Sequence, residues 1–381
     1  MRSIIGVVIR AVAVGMGLVL VPVAAGLFAS PSALISLSET GTSSQISSGN
    51  PVADSKMMMP NPVDYQYIAG PDLSNESGSG HVFELQLQGD SHDILQTISN
   101  VMHISGTIFE PEYSSAEYPV FQIGSQDGTG PSATINWTGT GNWWFSNPAA
   151  YPSAECSAWD KAEDGTKFCS SYAEQIATPD LLPSKDQMVA TAVKIFSATG
   201  LRVTPSDIHT SRNDWAASAY ASLQIGGLDS PVEWSINWGS NGQLGSVSGH
   251  SVKAIDRGEF KTISAKSAVS RMSDWRFSGQ LPQSIWEKYQ TNEGSDAIAY
   301  DEPVNPLGSE AETATPKPEI VTVTVTKSIT SQLIIWDKQG SPWIVPGHIL
   351  FSSQGWITPI FALEDGVVEL PSPVEISPMV K

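Results

Sequence analysis

Three stretches of this chain read INWTGTG, INWGSNG and IIWDKQG. Each is Ile, any residue, Trp, three residues, then Gly. They begin at Ile135, Ile236 and Ile334, spaced 101 and 98 residues apart, and no other Trp has Ile two positions before it. Residues two apart on a strand face the same side, and Gly supplies a positive φ in the turn that follows. The pattern therefore predicts three hairpins of one kind. In each, Ile and Trp turn toward a core, and Gly141, Gly242 or Gly340 shapes the turn.

Each hairpin is preceded by a helical pattern. After Asp90 or Ser91, residues Ile94, Leu95, Ile98, Val101 and Met102 recur at helical spacing. Ser184 with Gln187 three residues later forms a capping box, Met188, Val189, Ala192, Val193 and Phe196 make one apolar face, and Gly200 ends the helix. A third helix begins at Ser264, with Ala268, Val269 and Met272 on one side and an extension around Ile285 and Trp286. Between the helices lie short β-branched and aromatic runs. YPVFQIGS, SATINWTG and NWWFSNP form the first group, LRVTPSDIHTS, WAASAYASLQI, VEWSINW and QLGSVSG the second, and EIVTVTVTK, SQLIIWD, SPWIVPGHILF and WITPIFAL the third. Gly-rich turns between such runs indicate antiparallel strands. The expected fold is α+β, with tandem helix-plus-antiparallel-sheet units behind an N-terminal transmembrane helix.

The N-terminus bears on compartment. Ala11 to Ala29 carries no charge over 19 residues and follows Arg2 and Arg10. As a helix it would span about 28 Å, close to the roughly 30 Å hydrocarbon core, and the arginines place the rest of the chain outside the cytoplasm. Two readings stand: a retained anchor, or a signal peptide cleaved near Val23-Ala24-Ala25. Apolar residues continuing past that point, Leu27, Phe28, Leu34, Ile35 and Leu37, favour retention. Both readings put the body outside the membrane.

The expected layout is an anchor or signal segment over 1–37 and a Ser/Gly/Pro-rich flexible linker over 38–80. A first unit follows over 81–150, then a stapled loop over 151–183 and a second unit over 184–255. The third unit covers 256–370, with an acidic insert at 293–318, and a tail covers 371–381. Cys156 and Cys169 are the chain's two cysteines. In an oxidising compartment they are expected to pair as a loop staple.

Charge narrows the partners. A net charge of −19 argues against nucleic acid and against anionic lipid heads. No pair of the six histidines has the spacing that puts two imidazoles on one helix face. Asp90, His92 and Asp93 read as the acidic start of a helix. Gly-Ser-Val-Ser-Gly at 245–249 has Val247 where a nucleophile elbow requires Ser. No cofactor, metal site or catalytic constellation is expected. Among twelve Trp residues, Trp143 and Trp144 are adjacent on a strand and point to opposite faces, so at least one is expected to be exposed, and both are candidates to stack on a sugar or anchor a partner.

The stretch from Ser184 to Ser251 resembles a PepSY-type unit: a capped helix, strands, and a hairpin closed by Gly. TISAKSAVSRM looks like the start of the next such helix, and WIVPGHILF resembles a strand signature of tandem PepSY-like envelope proteins. The layout, covering roughly 90–363, also resembles actinobacterial membrane-anchored envelope proteins. The resemblance implies a non-catalytic role. The chain would then be a membrane-anchored extracytoplasmic protein that binds or regulates an envelope protein or cell-wall component. Two alternatives stay open: a carbohydrate-binding module using exposed Trp, and a cell-wall or peptide hydrolase.

Overall fold

The computed structural model describes residues 33–38, 63–174, 176–289 and 319–373. The anchor or signal segment at 11–29, the acidic insert at 293–318 and most of the tail lie outside the described residues. Among the described residues no helix is long and apolar enough to cross a membrane.

Helix α1 (Ser91–Met102) starts where the Asp90 carboxylate accepts the N–H groups of His92 and Asp93, and it ends where His103 turns left-handed at φ 57°. Strands β4 (Val120–Gly124), β5 (Ser132–Asn136) and β6 (Trp143–Ser146) follow it. Helix α2 (Lys185–Ala198) starts at the expected capping box: the Ser184 hydroxyl accepts the Gln187 N–H, and the Gln187 side chain accepts the Ser184 N–H. Such a cap stabilises by about 1 kcal/mol. It is followed by β9 (His209–Arg212), β10 (Ala217–Ile225), β11 (Leu228–Trp238) and β12 (Leu244–Gly249).

These strands form one antiparallel sheet in the order β4-β5-β6-β12-β11-β10-β9. Two segments of the same plan, a helix followed by strands, thus meet at the β6–β12 pair. Alternate residues on one face pack against the helices. Ala133, Ile135, Trp143, Phe145, Trp234 and Ile236 share a core with Leu95 and Ile98 of α1 and with Met188, Ala192 and Phe196 of α2.

Six of the remaining strands build a second sheet. β13 (Val252–Thr262), β3 (Gly78–Leu87), β15 (Pro342–Ser352), β14 (Glu319–Trp336) and β2 (Val63–Ala69) lie in that order, and β16 (Ile357–Phe361) pairs with β15. Only the β2–β14 pairing is parallel among these described contacts. One face of this sheet joins the first core through Leu85, Ile334 and Ile344. The other face packs Val82, Leu333, Ile335 and Val345 against Ile35 and Leu37.

The chain is α+β and mostly sheet, and several elements differ from expectation. The third helix is short: α3 (Ala265–Ala268) runs into a 3-10 turn at Val269–Arg271, and α4 (Gln283–Tyr289) supplies the extension. EIVTVTVTK and SQLIIWD are one 18-residue strand, because Lys327 and Ser328 keep their pairing with Phe351 and Leu350. Residues 201–208 are not strand and contain a 3-10 turn at Pro205–Asp207. Within the expected linker, β2 pairs with β14 and Leu73 is buried.

Ile35 and Leu37, read as the tail of the membrane segment, are core residues. Ile35 is 1% exposed, and β1 (Ile35–Ser36) pairs in parallel with β17 (Val368–Glu369). Their hydrophobicity serves the body, so it no longer argues for membrane retention.

The three Ile-x-Trp stretches do end alike. In each, the Gly N–H donates to the carbonyl of the residue after Trp: Gly141 to Thr138 at 2.9 Å, Gly242 to Gly239 at 2.8 Å and Gly340 to Asp337 at 3.0 Å. All three glycines have positive φ, at 58°, 75° and 80°. Ile135, Ile236 and Ile334 are buried in one common core, with Trp238 buried beside them and Trp137 and Trp336 half-buried at its edge.

Candidate functional site

Trp143 and Trp144 separate as the alternation of β6 requires. Trp143 is 0% exposed, and Trp144, on the opposite face, is 37% exposed. Trp143 packs beside Trp234 over Gly249, where an added Cβ would overlap both indoles. Trp143 is therefore a core residue, and Trp144 alone is available to a partner.

Trp144 sits near the middle of the seven-stranded sheet, on the face away from the helices. Register places Gln122, Thr134, Trp144, Ser248, Ser235 and Tyr220 in one row across six strands. A second row runs Ser132, Ser146, Ser246, Asn237, Ser218 and Ser211. The hydroxyls are ordered among themselves: Ser235 Oγ lies 2.9 Å from Ser248 Oγ, and Asn237 Nδ2 donates to Ser246 Oγ at 3.1 Å. The result is a platform of short hydroxyl and amide groups around one indole ring.

The sequence places those serines outward because the apolar partners alternate with them. In the Gly-Ser-Val-Ser-Gly stretch, Val247 is buried in the helix-side core and Ser246 and Ser248 take the other face. The near-miss to a nucleophile elbow is thus a strand, not a strand-to-helix turn. The hydroxyl rows were not read from the sequence. Their signal was the period-two Ser in SVS and WSIN, which gains meaning only once β6 and β12 are known to be neighbours.

One end of the platform is closed by α4. The Gln283 N–H donates to Glu233 Oε1 at 2.7 Å, the Ser284 hydroxyl to Asp229 Oδ2 at 2.8 Å, and the Tyr220 hydroxyl to Glu287 Oε2 at 2.7 Å. Burial pushes the Glu233 carboxyl up to about 7, against the lowering effect of the Gln283 N–H and the Ser222 hydroxyl, with Asp229 and Glu287 adding repulsion. These carboxylates hold a helix in place.

On the other side of the sheet, His250 Nδ1 lies 2.8 Å from Thr140 Oγ1, and its ring meets Trp234 edge-on at 5.5 Å. Burial pushes His250 down to about 4, so it is neutral at pH 7. Asp90 is spent as the α1 cap. Among the described residues no group of three or more His, Cys, Asp and Glu side chains is placed to hold a metal ion.

Cys156 and Cys169 form a disulfide. It staples a single hairpin, β7 (Cys156–Lys161) with β8 (Lys167–Tyr172), which forms its own two-stranded sheet. Trp159, Phe168 and Tyr172 on that arm are exposed. No family model matches the chain, and no curated protein is similar to it in sequence.

Proposed function

We propose that this chain is a non-catalytic binding protein of the cell envelope, and that its hydroxyl platform centred on Trp144 receives a cell-wall glycan. The observation that carries this reading is the part-exposed indole set among hydrogen-bonded Ser and Asn side chains on one sheet face. Sugar rings present apolar C–H faces that stack on aromatic rings and a rim of hydroxyls that trade hydrogen bonds with short polar side chains. The two rows around Trp144 carry no charged side chain, which suits a neutral polysaccharide.

The extracytoplasmic setting is supported by the Cys156–Cys169 disulfide and by the charge-free run at 11–29 behind Arg2 and Arg10. The two helix-then-strands segments meeting at β6–β12 support the resemblance to tandem PepSY-like units. The test is co-sedimentation of the protein with insoluble cell-wall polysaccharide. Wild type should pellet with it, and Trp144→Ala should stay in the supernatant. Equal sedimentation of both would show that Trp144 takes no part in glycan binding.

A second reading rests on the disulfide arm. An isolated two-stranded hairpin is marginal in water, yet this one is stapled and displays Trp159, Phe168 and Tyr172 to solvent. Exposed aromatics on a stapled arm suit a protein partner in the envelope. Replacing all three with Ser should abolish capture of that partner while leaving glycan sedimentation intact.

A further inference from the structure

The inward face of the second sheet changes chemistry partway along its strands. Leu85, Ile344 and Ile334 belong to the buried core that this sheet shares with the first. Further along the same faces stand Phe83 and His81 on β3, Pro346 on β15 and Gln332 on β14, with Gln332 opposite Pro346 in the register. There the two sheets part, and these residues line a cavity of about 560 Å³ capped by Leu228 after the β10–β11 turn. That volume lies within the ordinary range for small-molecule sites, which favour junctions of this kind.

Gln332 points to a ligand. Its residue is 8% exposed, its Nε2 donates to the Ile225 carbonyl at 2.8 Å, and its Oε1 is buried without a protein partner. Reversing the amide would set oxygen against the Ile225 carbonyl, so the orientation is fixed and an acceptor is left over. Buried acceptors are rarely unpaired. At the rim, His81 Nδ1 lies 2.8 Å from Asp256 Oδ2. With Nδ1–H donating to that carboxylate, Nε2 is a second acceptor.

Among the described lining residues none is Lys or Arg, so an anion would meet no counter-charge. Phe83, Pro346 and Leu228 supply an apolar wall. We propose that this cleft binds a neutral amide bearing an aliphatic group, the chemistry of a short peptide segment. Its N–H would donate to Gln332 Oε1, and its side chain would lie against Phe83, Pro346 and Leu228.

The test uses the full-length protein and N-acetyl-L-leucinamide as probe, with calorimetric titration and hydrogen exchange. Saturable binding with protection at the β10–β11 turn and in β14 is expected, together with at least tenfold weaker binding to Gln332→Leu. Because that change also removes the bond to Ile225, a second variant is needed. Leu228→Trp, at an exposed position, should fill the cleft and abolish binding with an unchanged melting temperature. No saturable binding by wild type, protection elsewhere in the molecule, or wild-type affinity in Leu228→Trp would overturn the proposal. Equal binding of acetate or glucose would overturn the assignment to an amide.

Discussion

Trp144 and Ser248 face each other across β6 and β12, the pair that joins the two helix-and-strand segments of the first sheet. The platform around Trp144 therefore exists only when both segments are folded. The proposed binding surface and the seam between the two segments are the same place.

The two neighbouring tryptophans should behave oppositely. Trp143→Ala removes a fully buried indole and should cost roughly 3–5 kcal/mol in chemical denaturation. Trp144→Ala, at a position 37% exposed, should cost clearly less, about 1–2 kcal/mol. A large loss at Trp144 would make it a structural residue.

The three turn glycines should rank by what surrounds them. A Cβ at Gly242 would overlap the Leu181 carbonyl, one at Gly141 would meet Leu87 Cδ2 at 2.9 Å, and one at Gly340 would meet nothing within 4 Å. Gly340→Ala should cost only the left-handed penalty of about 1–2 kcal/mol. Gly141→Ala should cost more and Gly242→Ala most. Equal losses at all three in urea melts would show that the turn conformation alone decides the cost.

How much of this was legible depends on the range of each interaction. Ser184 and Gln187 cap α2 as read, because capping is settled within four residues. The Gly141, Gly242 and Gly340 turns are likewise local. Trp143 and Trp144 were rightly placed on opposite faces, but which one faced solvent depended on α1 and α2. The hydroxyl rows depend on β6 meeting β12 about a hundred residues away, a pairing no local pattern encodes. Ile35 and Leu37 misled because an apolar residue next to an apolar run looks the same whether it enters lipid or a core. Gln332 reads from the sequence simply as a strand residue, since nothing local announces that a strand face leaves its core.

Glu233 and His250 should pull stability in opposite directions with pH. Glu233 is raised to about 7 in the folded state, so the folded protein keeps a proton that the unfolded chain releases near its ordinary value. Its effect favours folding at low pH and is lost as pH rises toward 7, by at most about 3 kcal/mol. His250 is lowered to about 4, so the unfolded chain takes up a proton first as pH falls. Its effect is present above about pH 6.5 and is lost as pH falls toward 4. Glu233→Gln should stabilise the protein at pH 8 while keeping an acceptor for the Gln283 N–H. No gain at pH 8 would show that Glu233 is already accommodated as a carboxylate.

Reduction of Cys156–Cys169 should act locally. The disulfide closes one exposed hairpin, so its stabilisation of roughly 3 kcal/mol belongs to that arm. Reduced protein should be cut by trypsin at Lys161 or Lys167 while its main melting transition shifts little. A fall of many degrees in that transition would show that the arm supports the core.

The most direct measurement is calorimetric titration of soluble cell-wall glycan fragments into wild type and into Trp144→Ala of matched melting temperature. Saturable binding to wild type and at least a tenfold loss in the variant are expected. Indistinguishable affinities, or no binding by wild type, would contradict glycan binding through Trp144.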